Sequence, residues 1–507
     1  MTSSGDINSA QAREELIRAR LAGRRGGAAR ISPADRSGPL PLTYGQQQMW
    51  FLNRLETGSP EYLVPMALRL TGPLDAGRLG AAWAALVDRH EILRTRYALA
   101  LMGDTPVQTV DASPAPAPLP VTDLAAVPAD QREARAVELV ERAAATPFDL
   151  AEEWPARASL IRLNAEEHVL VVVMHHIACD AWSMPLLTCD LAAFYAGTTP
   201  APLPVQYADY AAWERGPEVA AVHERHLGYW RDELTDLTPV DLPTDRPRAP
   251  VRDWHGDVVD FQVPAAVAER LAEVGRSNDA TLFMVLMTAF QALLSRYTGQ
   301  SDVPVGTMVA GRTRPELQDL IGYGVNSLVV RTRWEDDPAF TEMLSRTRTA
   351  VLGAFDHQDV PFARLVEELQ PERDMSRTPL FQVALTLQDA RSETGDFAGL
   401  RATPLVAGSR VSRFDLTALF SRAADGTLNG HLEYATALFD RPTAERIAGH
   451  LSRLLTHVAA APEARISALE ILDAAERELL TAGAAAVSVV DRRVHELFGE
   501  RVAATPD

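Results

Sequence analysis

The sequence predicts an α/β fold of two lobes around a shared cleft, and three observations carry that expectation. The chain has 507 residues, beyond the roughly 250–300 at which a single hydrophobic core stops growing, so two cores are expected. Helix-like and strand-like periodicities alternate on both sides of residues 239–254, a stretch with four prolines and few apolar side chains that reads as the internal boundary. Finally, residues 169–174, VLVVVM, are too few for a helix packed on all sides and have the composition of a strand buried on both faces. That strand delivers His175 and His176 to a bend ahead of the next helix. The division predicted is 1–37 as a linker or docking segment, 38–240 as the first lobe, 241–480 as the second, and 481–507 as a further linker.

In chain order, residues 10–24 have helical spacing with a basic end, RARLAGRR, and Gly26–Gly27 stops them. They read as a surface helix or as a docking helix for another polypeptide. A helix starts near Thr43 and runs to Leu55, its glutamines beside Met49, Trp50 and Leu52 turned partly to a cavity. A strand over 68–72 and a helix over 75–90 follow, the latter with Leu79, Trp83, Leu86 and Val87 on one stripe. After a further strand, residues 113–120, SPAPAPLP, read as an extended surface connection. A helix over 131–146 precedes paired strands at 158–163 and 168–174, separated by the turn NAEE. Ser183 is expected to cap the helix that Gly197 ends, and helices follow at 207–213 and through Trp230. Beyond the boundary come helices at 265–278 and 281–297, the second closed by Gly299. Strands are expected at 303–309, 327–333, 380–388 and 429–436, then a helix at 441–458 and the segment ILDAAERELL.

A net charge of −19 excludes a general nucleic-acid binder and confines any docking of an acidic partner to local positive patches. Cys179 and Cys189 are the only cysteines, too few for a disulfide scaffold and consistent with a reduced cytoplasmic protein. No run of eighteen apolar residues marks a membrane span, and the polar start MTSSGDINSA is not a signal peptide.

Neighbouring side chains on an extended strand point to opposite faces, so His175 and His176 cannot do the same job. One ring is expected to face a cleft while the other turns into the core, and Asp180 folds back to hold the bend. On these residues alone the plain alternative is a buried histidine pair with a capping aspartate. No HExxH or paired CxxC accompanies them, so no metal site is assigned. Cys179 is expected to be a small packed side chain.

Seven stretches together resemble one family, the condensation domains of nonribosomal peptide synthetases. They are LTYGQQQMWFL (42–52), RHEILRTRY (89–97), MHHIACDAWS (174–183), YADYAAW (207–213), IGYGVNSLVVR (321–331), HQDVPFARLV (357–366) and RDMSRTPLFQ (373–382), in the family's order. The resemblance implies two chloramphenicol-acetyltransferase-like lobes in a V-shaped pseudo-dimer with a central tunnel. It implies peptide-bond formation, in which the amine of a downstream carrier-bound aminoacyl thioester attacks an upstream carrier-bound acyl or peptidyl thioester. The partners implied are upstream and downstream carrier domains and an adjoining adenylation domain. No cofactor is bound permanently, the phosphopantetheine arms of the carriers entering as substrates, and neither ATP nor a metal is needed. The tail 488–507 looks like the opening of an adenylation domain, so Asp507 is expected to be a cut inside a larger synthetase.

By position, His176 matches the family's catalytic second histidine, His175 the first, and Asp180 the aspartate that orients the loop by an ion pair. Arg312 is the expected partner, through a guanidinium fork binding the carboxylate in two places. Ala181 stands where the family usually has glycine, a departure that matters if the position needs positive φ or close approach to the pantetheine. Trp182, Ser183, Gln47, Tyr323, Asn326 and Gln358 are the candidates for lining the tunnel. An α-amine with a pKa of about 7.7–8.0 is already partly neutral at pH 7, so His176 is expected to combine the roles of base and positioner. The intact histidine pair speaks against a heterocyclising relative, and the adenylation-like tail against an epimerising one. HHIACDAWSMPLL with DLAAFY resembles the condensation domains that take an L-configured donor. The alternatives are a starter domain that N-acylates a first amino acid, which the chain's own initial methionine favours, and a catalytically silent module that recruits carrier or tailoring proteins, which Ala181 favours.

Overall fold

The structure is a computed structural model and describes residues 30–55, 58–100, 103–113, 115, 119–370, 374–388, 395–405, 411–482 and 495, 498 and 502. The helix expected at 10–24, most of the adenylation-like tail and part of 113–120 lie outside the described residues. Two six-stranded sheets organise the rest. The first runs Gly395–Phe397, Leu400–Pro404, Leu63–Thr71, Glu167–His175, Ala156–Arg162 and Val121–Asp123. The second runs Asn326–Arg333, Asp302–Val309, Val383–Gln388, Leu416–Arg422, Leu428–Ala435 and Gly256–Val263. This is the mixed α/β fold of two lobes that the periodicities predict.

Glu167–His175 pairs antiparallel with a neighbour on each edge, and every residue from His168 to His175 is buried. Its valine run therefore sits at the centre of the first core, with both faces packed as the composition requires. In the second lobe the helix Leu282–Thr298 has an unbroken buried run from Met284 to Leu294. Thr281 Oγ1 accepts from the Met284 N–H at 3.3 Å at one end, and Gly299 at φ 73° ends the helix at the other.

The structure departs from the expected division at one place that matters. Gly395–Phe397 and Leu400–Pro404 lie in the half of the chain assigned to the second lobe, yet Arg401–Pro404 pair with Leu68–Thr71 in the first sheet. Phe397 and Leu400 enter the first core. The strand expected from residue 380 starts at Val383, because Leu380 sits in the left-handed region at φ 66°. Part of the expected N-terminal linker is also structured. Ile31 is buried in a cluster with Val205 of the first lobe and Leu317 and Leu320 of the second, and the Ala34 N–H donates to Asp209 Oδ1 at 2.8 Å. Residues 31–36 are thus a strap across both lobes. Among the described residues no single helix is long and apolar enough to cross a membrane.

Candidate active site

The central strand ends at His175, and His176–Ala178 form a single helical turn before Ser183–Ala196. His175 turns into the first core. Its Nδ1 accepts from the Ile177 N–H at 3.1 Å, its ring stands edge-on to Phe148, and burial lowers its pKa to about 4. His176 takes the opposite face, as strand parity demands. Its main-chain N–H is held by the Tyr62 carbonyl at 2.7 Å, and its Nδ1 lies 2.7 Å from the Cys179 carbonyl. A carbonyl can only accept, so the ring proton is on Nδ1, and the Nε2 lone pair has no hydrogen-bond partner among the described residues.

The His176 ring is part-exposed because it opens on a cavity of about 2380 Å³ between the lobes. That volume exceeds the roughly 300–1,000 Å³ of ordinary ligand pockets. The walls nevertheless enclose the imidazole: burial first, and the positive charge of Arg413 second, lower its pKa to about 3. Tyr323 from the second lobe stands edge-on to it at 5.1 Å between centroids. Cys179 is fully buried, its thiol pushed well up by burial, and it is a packing residue.

Asp180 ties this loop to the other lobe. Its Oδ1 accepts from the Ser183 N–H at 2.9 Å, the Ser183 hydroxyl at 2.7 Å and Arg312 Nη2 at 2.9 Å, while Oδ2 accepts from the Gly324 N–H at 2.8 Å. The expected two-point fork is not formed. Arg312 uses Nη2 alone, sharing it among Asp180, Ser183 Oγ and the Gly322 carbonyl, because Gly324 already occupies the second carboxylate oxygen. The guanidinium and carboxylate are 3% and 1% exposed, which makes this a buried pair.

Two glycines permit that closeness. Gly311 is at φ 63°, and a Cβ there would meet the Gly324 carbonyl at 2.0 Å. A Cβ on Gly322 would meet the Tyr207 ring at 2.1 Å, and that ring is pinned by a 2.5 Å bond from its hydroxyl to the Tyr323 carbonyl. Gly322→Ala is therefore expected to cost about 1–3 kcal/mol, the usual range for overpacking. Gly38→Ala is the control, since nothing lies within 4 Å of its Cβ position. Denaturant midpoints of both variants check this, and equal midpoints would show that the interface yields without cost.

The remaining candidates separate. Tyr323, Asn326, Gln358 and Ala181 line the cavity. Asn326 and Gln358 spend their amides on the wall itself: Asn326 Nδ2 donates to the Gln358 and Val360 carbonyls at 2.9 and 2.8 Å, and Gln358 Nε2 to the Phe355 carbonyl. Three candidates are corrected. Ser183 is buried in the Asp180 network as the first residue of its helix, where Asp180, not Ser183, caps the N–H. Gln47 turns from the cavity to Arg215, leaving its neighbours Gln48 and Met49 to line it. Trp182 is half-exposed and donates to the Gln318 carbonyl of the second lobe at 2.9 Å. Ala181 is not in the left-handed region, so alanine brings no backbone strain there. One residue was not anticipated: Arg413, shortly before a strand, carries no local signal, yet its charge reaches His176 from the opposite lobe.

Comparison with known proteins identifies the family and the fold. A family model described as the condensation domain matches residues 36–481. The chain is 42% identical over 455 residues to one of the linear gramicidin synthase proteins of Brevibacillus parabrevis, covering 88% of this chain and 9% of that protein. It is 38% identical over 498 residues to a dimodular nonribosomal peptide synthase of Bacillus subtilis (strain 168), covering 94% and 20%. The chain thus spans a fifth or less of either relative. Among solved structures, the X-domain from teicoplanin biosynthesis superposes with a TM-score of 0.80 at 32% identity, over 88% of this chain and all of that one. A four-domain nonribosomal peptide synthetase bound to AMP and glycine shares the fold at a TM-score of 0.76 and 22% identity, over 89% of this chain and 35% of that one.

Proposed function

The chain belongs to the condensation-domain family of nonribosomal peptide synthetases, and on that premise we propose that it joins two carrier-bound thioesters through an amide bond. The single observation that supports this best is the Nε2 of His176 opening on a cavity walled by both lobes. Two pantetheine arms reaching that point from opposite sides bring amine and thioester into one encounter, and proximity supplies much of the rate. The thioester provides the driving force. The donor is read as L-configured, and the two carriers and an adjoining adenylation domain are the proposed partners.

A pKa of about 3 makes His176 a weak base toward a free ammonium ion. Its lone pair is suited instead to align the neutral amine by a hydrogen bond, and then to take the proton of the zwitterionic adduct, where the nitrogen is far more acidic. His175 supports the loop from the core, and Asp180 with Arg312 fixes the bend against the second lobe. The rate of amide formation between two loaded carriers is therefore expected to rise with pH through about 7.7–8.0, the range of an α-amine. No second inflection is expected near 6.5. A profile governed by a group near 6.5 would mean that His176 titrates as an ordinary solvated imidazole, and absence of amide at every pH would end the proposal.

One observation favours a second reading, a module that recruits proteins without chemistry of its own. The chain is 33% identical, with a TM-score of 0.79, to an X-domain solved in complex with OxyB from teicoplanin biosynthesis. Under that reading His176→Ala leaves the biosynthetic output unchanged.

A further inference from the structure

Arg413 reaches the cavity from the second lobe, just ahead of the strand Leu416–Arg422, and shares its wall with His176, Tyr62 and Tyr323. Its Nη2 donates to the Glu61 carbonyl at 3.4 Å, and its guanidinium lies 5.7 Å from the centre of the Tyr62 ring. Both contacts are with the first lobe. The buried Nε–H has no hydrogen-bond partner among the described residues. Burying such a donor unpaired is costly, so this arginine is held here against a stability cost. The carboxylates around it are engaged elsewhere. Glu61 takes Arg252 at 2.6 Å, Asp415 takes Arg248, and Glu433 turns to the Arg413 main-chain N–H while burial raises its pKa. The part-exposed guanidinium is thus held on the same cavity wall as His176, with no carboxylate neutralising it.

We propose that Arg413 is a further catalytic residue, turning its guanidinium charge toward the donor thioester's carbonyl oxygen as that oxygen becomes negative. This rests on the amide-forming reading. The amine nitrogen forms a bond to the thioester carbon, and the carbonyl π pair moves to the oxygen facing Arg413. The nitrogen's proton passes to His176 Nε2. Collapse reforms the C=O bond and breaks the C–S bond, and the departing thiolate takes the proton from His176 to leave as the upstream pantetheine thiol. No oxidant, reductant or further reactant enters. His176 serves the nitrogen from the first lobe and Arg413 the oxygen from the second, so the reaction needs both walls at once. A positive charge held close before the oxygen's own charge develops needs little reorganising, which is why such groups contribute strongly.

The test uses chain 1–507 with two phosphopantetheinylated carrier domains charged with a panel of acyl and aminoacyl thioesters, taking the pair that the parent joins fastest. Arg413→Met is expected to lower the single-turnover rate at saturating carriers by about 10²–10³-fold, with KM changed less than about threefold and melting close to the parent. Arg413→Lys keeps the charge without the planar donor and is expected to fall between the two. A residue that only ties the lobes together gives the opposite pattern, with lower melting and a single-turnover rate within about threefold of the parent, and that result overturns the proposal. If Arg413→Met does not fold, the lysine variant decides: a parental rate overturns the proposal and a clear loss supports it. A parent that joins no pair overturns the amide-forming reading itself and this proposal with it, an outcome distinct from an active parent with active variants.

Discussion

Replacing His176 with alanine is expected to lower amide formation by about 10²–10⁴-fold, the contribution of a positioned proton acceptor, while the fold persists. The ring is the group at the end of the central strand with a lone pair facing the cavity. Its loss removes one hydrogen bond to a backbone carbonyl, about 0.5–1.5 kcal/mol, and opens space on the cavity side without piercing the first core. Circular dichroism and melting should therefore stay near the parent while the rate collapses. His175→Ala should behave in reverse, because its ring packs on Phe148 and caps Ile177 inside the core. A His176→Ala chain with near-parental turnover would remove the imidazole from the chemistry.

Asp180→Ala is expected to be the more destabilising of the two loop substitutions. It strips the acceptor from four donors and leaves the Arg312 guanidinium buried without its counter-charge. Breaking a buried pair in this way typically costs about 3–5 kcal/mol. The loss acts across the lobes, since Arg312 and Gly324 belong to the second and Asp180 and Ser183 to the first. The denaturant midpoint of Asp180→Ala should lie well below that of His176→Ala. Asp180→Ala combined with Arg312→Leu should be less damaging than the sum of the two, because the double change leaves no orphaned charge. Equal midpoints for Asp180→Ala and His176→Ala would show that the pair does not hold the lobes.

Local patterns carried the parts of the fold that depend on local physics. The valine run announced the central strand, and Gly299 marked the end of the helix over 281–297, which the structure buries from Met284 to Leu294. Strand parity alone separated the faces of His175 and His176. What stayed hidden depends on residues far apart in sequence. Residues 395–404 join the first sheet only because the chain crosses back between lobes, and nothing in GDFAGLRATP names Leu68–Thr71 as its partner. The helix Phe340–Asp356 is a different case, since Phe340, Met343, Leu344, Thr347 and Val351 have helical spacing and the signal was there to be read. At the site, the Asp180–Arg312 pairing was legible as a charge match. Its one-nitrogen geometry was not, because it depends on Gly324 having already claimed the second oxygen. Ser183, Gln47 and Trp182 looked like cavity residues by proximity to motif positions, and each was turned elsewhere by a partner from a distant segment. Arg413 had no motif to mark it and emerged only once the second lobe was placed against His176.

Movement of an acyl group from one carrier to the amine held on another is read without intermediary by the intact masses of both carriers. The chain is incubated with an acyl-loaded upstream carrier and an aminoacyl-loaded downstream carrier, and both are weighed over time. The downstream carrier is expected to gain the donor acyl mass, less the proton displaced from its amine, while the upstream carrier returns to the mass of its free pantetheine form, at a rate that collapses with His176→Ala. An upstream carrier that loses its acyl group to water while the downstream mass stays constant, or two carriers that both keep their starting masses, would contradict it.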